Sequence, residues 1–170
     1  LDKESKVWKP AGLQAWTGHG NRRRPQRVRN LQLLESAKDK SIPALIFTGG
    51  NLDSNNDRLY LAGLKKNKFK GANVSLATVN KEFNLFQIND DWKNKINKFP
   101  PLEVPFSTEY RLIDNSKILC YQYINGMQLP YPMIYYFKSS NNVKYCTILA
   151  EGIWKWKISE FQSFDNNKVF

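Results

Sequence analysis

The organisation of this chain hinges on Ile42-Pro43-Ala44-Leu45-Ile46-Phe47-Thr48-Gly49-Gly50-Asn51. Ala44 to Thr48 is an uninterrupted apolar run of strand length, which predicts a buried, parallel strand. Gly49-Gly50 breaks it, and Asn51 to Asn56 supply turn and cap chemistry. Leu59, Tyr60 and Leu64 then mark a helix to about Lys66. The segment reads as a strand, a tight glycine turn and a helix.

On the N-terminal side, Leu31, Leu33 and Leu34 open a short amphipathic helix that ends near Lys40. Residues 1–30 look different. They hold eight Lys or Arg against Asp2 and Glu4, and five of the seven Arg of the chain lie between Arg22 and Arg29. No period of 2 or 3.6 runs through them, and Pro10, Gly12, Gly18, Gly20 and Pro25 interrupt them. We read 1–30 as an irregular basic arm of separate origin, set aside from fold reasoning, and 31–170 as a single domain.

On the C-terminal side, Asn73 to Val79 alternates as a strand, and Asp91-Trp92 opens a short helix that Phe99-Pro100-Pro101 must end. From Tyr110 the pattern turns antiparallel. Lys117 to Ile124 and Met127 to Phe137 flank Asn125-Gly126, the dipeptide that best accepts the positive φ angles of a type I′ hairpin turn. Val143 to Ala150 is the next strand. Pro130 and Pro132 lack a ladder donor and predict an edge or a bulge in the first half of the middle strand. Ile153 to Ile158 reads as a last short strand or the start of a helix.

At 170 residues, 41% hydrophobic and 24% charged, the composition is that of a globular domain and excludes a disulfide scaffold or a collagen. No apolar run nears the roughly 18 residues that span a bilayer. The net charge of +11 invites a nucleic-acid reading, which rests on Arg22 to Arg29, because clustered basic side chains release phosphate counterions. Beyond Asn30 the excess is ordinary.

Catalytic chemistry is poorly announced. Gly49-Gly50-Asn51 follows a strand as a nucleophile elbow would, but no Ser or Cys stands at the turn, leaving it at most an anion-binding loop. Cys120 and Cys146 sit in apolar strands, two strands apart, and should be free. The single histidine, His19, belongs to the arm. Asp53 and Asp57 suit a helix start better than a calcium loop. Glu82, Glu103, Glu109, Glu151 and Glu160 are scattered, so no carboxylate pair can be named. No metal site and no cofactor are expected. Gly152-Ile153-Trp154-Lys155-Trp156-Lys157 is the strongest local feature: extended, it puts both indoles on one face, either as packing anchors or as a platform for single-stranded bases.

Ile42-Pro43 before the apolar strand and glycine turn, Phe99-Pro100-Pro101-Leu102, Tyr131-Pro132-Met133-Ile134 and Gly152-Ile153-Trp154-Lys155-Trp156, in this order, resemble the degenerate glutamine-amidotransferase-like domain of bacterial membrane proteins of the von Willebrand factor A and aerotolerance type. The resemblance covers about residues 31 to 164, with Lys155 where Arg is commoner. It implies an α/β fold, a mostly parallel sheet flanked by helices with a C-terminal antiparallel hairpin extension. It also implies a non-catalytic interaction or scaffold domain in a cell-envelope protein, with other domains of a membrane-anchored assembly as partners. A basic nucleic-acid-binding module and a residual amidase or hydrolase are the alternatives. The family is anchored by transmembrane helices that these residues lack, so the chain reads as a piece of a larger protein.

Overall fold

The computed structural model describes residues 33–50, 52, 59–65 and 68–164. Six strands form one sheet: β1 (Ala44–Phe47), β2 (Phe69–Val79), β3 (Leu102–Ser107), β4 (Lys117–Ile124), β5 (Met127–Lys138) and β6 (Lys144–Ile148). Residues 33–39 are helical (α1), Leu59–Ala62 is a single 3-10 turn, and α2 (Asp90–Ile96) and α3 (Trp154–Phe164) complete the described elements. The strand order is β1-β6-β5-β4-β2-β3.

This is a mostly-β fold, and it overturns the expected α/β sheet. The β1–β6 pair is parallel, as the apolar run predicts, but the other four pairs are antiparallel. The physical reason lies in the connections. A parallel crossover needs a helix of about a dozen residues to cover the sheet, and Leu59–Ala62 supplies one turn. Nor is β1 a buried strand. It occupies the sheet edge, with Ile46 buried and Leu45 and Phe47 exposed on the opposite face.

The sheet is strongly curled. Glu103 of β3 and Glu151, three residues past β6, exchange two backbone hydrogen bonds of 3.1 and 2.7 Å, so the far edge strand returns to the chain beyond β6 and a half-barrel results. The β4–β5–β6 meander carries the structure. Asn125 (φ 50°) and Gly126 (φ 83°) both take positive φ, the requirement of the type I′ turn. In β5, Pro132 faces Tyr121 between two register shifts, and the Gln122 side-chain amide donates to the Pro132 carbonyl at 3.0 Å. Pairing with β6 begins only at Ile134, which leaves the proline half of β5 with β4 as its one strand neighbour. The side chains of β5 and β6 alternate between two cores. Ile134 and Ile148 enter an inner core with Phe99, Leu102, Val104 and Trp156, and Phe137 and Tyr145 enter an outer one with Leu59 and Leu64.

Candidate interaction surface

α3 is a helix from Trp154, and this separates the two indoles. At about 100° per residue, i and i+2 lie on opposite sides of a helix, so the one-face arrangement of an extended segment does not form. Trp156 is 3% exposed, stacks on Phe99 (5.2 Å between centroids, 20° between planes), and its indole N–H donates to the Pro100 carbonyl at 2.8 Å. Of the Phe99-Pro100-Pro101 stretch, Phe99 and Pro100 thus form the seat of one indole, and Pro132 is buried elsewhere in the sheet. Trp154 is 62% exposed. Lys155 lies with its ammonium 6.0 Å from the Trp154 ring centroid and its methylenes over Gly152.

Trp154 is not alone. Ile158 (47% exposed) and Phe161 (59%) follow at i+4 and i+7, so one side of α3 is an apolar stripe that nothing in the described structure covers. The opposite side is anchored by Trp156 and by Glu160, which is 1% exposed and faces the Lys95 ammonium of α2 at 3.9 Å. Lys95 is in turn paired with Asp91 at 2.7 Å. The stripe was legible in principle from the i, i+4, i+7 spacing; the period-2 alternation of Trp-Lys-Trp-Lys hid it.

The glycine turn has unexpected company. The Gly50 amide donates to Glu151 Oε2 at 3.4 Å, and Glu103 packs against Gly50 so closely that a Cβ there would lie 2.6 Å from Glu103 Cγ. Two carboxylates that sequence reasoning left scattered are brought opposite one another by the bridge that curls the sheet. An external anion at Gly49-Gly50 would meet both. Asn51, Asp53, Asp57 and the Arg22–Arg29 cluster with His19 fall outside the described residues.

The thiols lie in β4 and β6 with β5 between them, and both are free. Cys120 is fully buried, and desolvation pushes its thiol pKa far up. Burial also raises that of half-buried Cys146, against a smaller opposing effect of the Tyr136 hydroxyl. Both shifts run opposite to the activation a nucleophilic cysteine needs. Among the described residues, no three His, Cys, Asp or Glu side chains come together to hold a metal ion, and no helix is long and apolar enough to cross a membrane.

No protein-family model matches the chain, and no curated protein matches it significantly. A solved structure described as "mmIFT52 N-terminal domain" aligns over 84% of this chain and 73% of that one, at 12% identity and a TM-score of 0.34, too low to carry an argument. The glutamine-amidotransferase-like resemblance is therefore corrected. Its motifs lie in and around a curled, mostly antiparallel sheet, with Trp154-Lys155-Trp156 on a helix, and the cell-envelope location it implied has no other support.

Proposed function

We propose that this domain acts by binding another protein, without catalysis, through the outer face of α3. The observation that carries the reading is the stripe of Trp154, Ile158 and Phe161 on a helix whose other side is already anchored in the core. An amphipathic helix laid into a partner's groove presents anchors at this spacing, and Trp is among the residues that dominate such contacts. Lys155 beside Trp154 favours a groove with an acidic rim. The nucleic-acid alternative loses the paired-indole platform and retains only the basic arm.

A photo-crosslinking residue placed at Ile158, in the protein expressed in its native cells, tests this reading. A discrete adduct with one protein is expected at 158 and not at the exposed control Lys144, and Trp154→Asp should abolish it without lowering the melting temperature. Equal labelling from both positions, or none from 158, would refute the α3 face as the contact.

A further inference from the structure

On the other side of the sheet from Trp156, a cleft of about 250 Å3 opens between α1, the Leu59–Ala62 turn and the β5–β6 connection. Leu34, Leu61 and Ile113 line it with aliphatic surface. Phe137 and Tyr145, stacked at 5.2 Å with 17° between planes, give it a flat aromatic wall. Two hydroxyls in this lining are shut off from solvent with no hydrogen-bond partner: the phenol of Tyr145, a residue 4% exposed, and Ser139 Oγ. Buried polar groups are almost always paired, so two orphans in one cleft call for an explanation. Lys38 and Lys138 also line it. Among the described residues neither ammonium has a carboxylate partner, and Lys38 rests 4.9 Å from the Tyr60 ring centroid.

We propose that this cleft is a binding site for a small carboxylate with a flat apolar body. The two lysines supply attraction for an anion, and a carboxylate oxygen that displaced the side chains now closing off the two hydroxyls would give both an acceptor. A neutral hydrocarbon would leave those hydroxyls unpaired, and an amine would be repelled by both ammonium groups. The volume equals roughly eight waters at about 30 Å3 each, room for a one- or two-ring acid. The Tyr145 phenol is protonated at neutral pH at its ordinary pKa, and burial raises that pKa further. The site lies on the opposite face of the sheet from the α3 stripe and stands independently of that reading.

Titration with 1-naphthoate, followed by saturation-transfer NMR and protein fluorescence, tests the proposal. Saturable binding is expected, with the neutral 1-naphthalenemethanol at least about tenfold weaker. Lys138→Met and Tyr145→Phe should each weaken naphthoate by about five- to tenfold. Tyr145→Phe should leave the melting temperature of the unliganded protein unchanged or higher, because it removes a buried hydroxyl that lacks a partner. If Tyr145→Phe fails to fold, Lys138→Met and the alcohol comparison decide. No saturation by about 5 mM, or equal affinity for acid and alcohol that neither substitution alters, would overturn the proposal and leave ordered water as the partner of the two hydroxyls.

Discussion

Ile134 and Tyr135 are neighbours in β5, yet they enter cores of different character. Ile134 faces Ile148 across the strands in an inner core whose bound helix is held by apolar burial, an indole hydrogen bond to Pro100 and the buried Glu160 carboxylate facing Lys95. Tyr135 faces Thr147, and both hydroxyls donate to the Ala62 carbonyl, at 2.7 and 2.9 Å. The contrast follows from the length of what each face must hold. α3, with 11 residues, can bury a large side chain and still keep a free face. The four-residue Leu59–Ala62 turn buries Leu59, Leu61 and Ala62 but is too short to hold itself, and hydrogen bonds from the sheet to its last carbonyl secure it. The inner face is thus closed by packing under a full helix, and the outer face by packing together with those bonds, with the cleft beside the turn.

Breaking the inner core should have the largest effect. Trp156→Ala is expected to cost about 3–5 kcal/mol by urea denaturation, a large share of the roughly 5–15 kcal/mol that a domain possesses. A cost under about 1 kcal/mol would mean that α3 is held by something other than its indole. Gly63→Ala attacks the outer core. Gly63 has φ +80°, and a Cβ there would lie 2.6 Å from Phe137 Cδ1. A cost of about 2–3 kcal/mol is expected from backbone strain and a displaced ring, and it should also disturb the cleft that Phe137 lines.

Alkaline pH loads both cores together. Cys120, in the inner core, and Tyr135, in the outer, have pKa values raised mainly by burial. The folded protein holds these protons longer than the unfolded chain, so stability is unaffected below about pH 8.5 and falls as the unfolded thiol ionises, by about 1.4 kcal/mol per pH unit for Cys120 alone. Above about pH 10 the phenol adds its own slope. Cys120→Ser should change the slope between about pH 8.5 and 10, whereas Tyr135→Phe should act only above it. A flat stability profile to pH 10 would contradict the burial of Cys120.

Thr147→Val removes one of the two donors to Ala62 and should cost about 1 kcal/mol. The smallest effect is expected for Trp154→Ala, within about 0.5 kcal/mol, because its ring is already in solvent. The contrast between the two tryptophans is therefore sharp: one thermal melt of both variants tests whether α3 is anchored on the Trp156 side.

Local signals placed several elements accurately. The strands Lys117–Ile124 and Met127–Lys138 and the Asn125-Gly126 turn were legible because alternation and turn chemistry act over a few residues. The prolines of β5 mark the half that lacks a second strand neighbour, as their missing donors require. Other elements were hidden. β3 (Leu102–Ser107) follows Pro100-Pro101 and contains Pro105, so its propensity reads against a strand, yet pairing with β2 at the sheet edge secures it. Trp154-Lys155-Trp156-Lys157 alternates like a strand over four residues. The burial of Trp156 and Glu160, one turn apart, accompanies a helix instead.

The amino-acid sequence alone determined where the chain turns, where a β1-type apolar run must find a parallel neighbour, and that the cysteines sit apart on strands of a meander. Each of these depends on residues close together or on a period of two. The curl of the sheet, the meeting of Glu103 with Glu151, the division of two indoles between core and surface, and the orphaned hydroxyls of Ser139 and Tyr145 belong to the tertiary structure. They depend on which strand edge is left open once all the others have paired. That outcome is a competition among distant segments for the same backbone donors and the same apolar cover, and no local pattern records its winner.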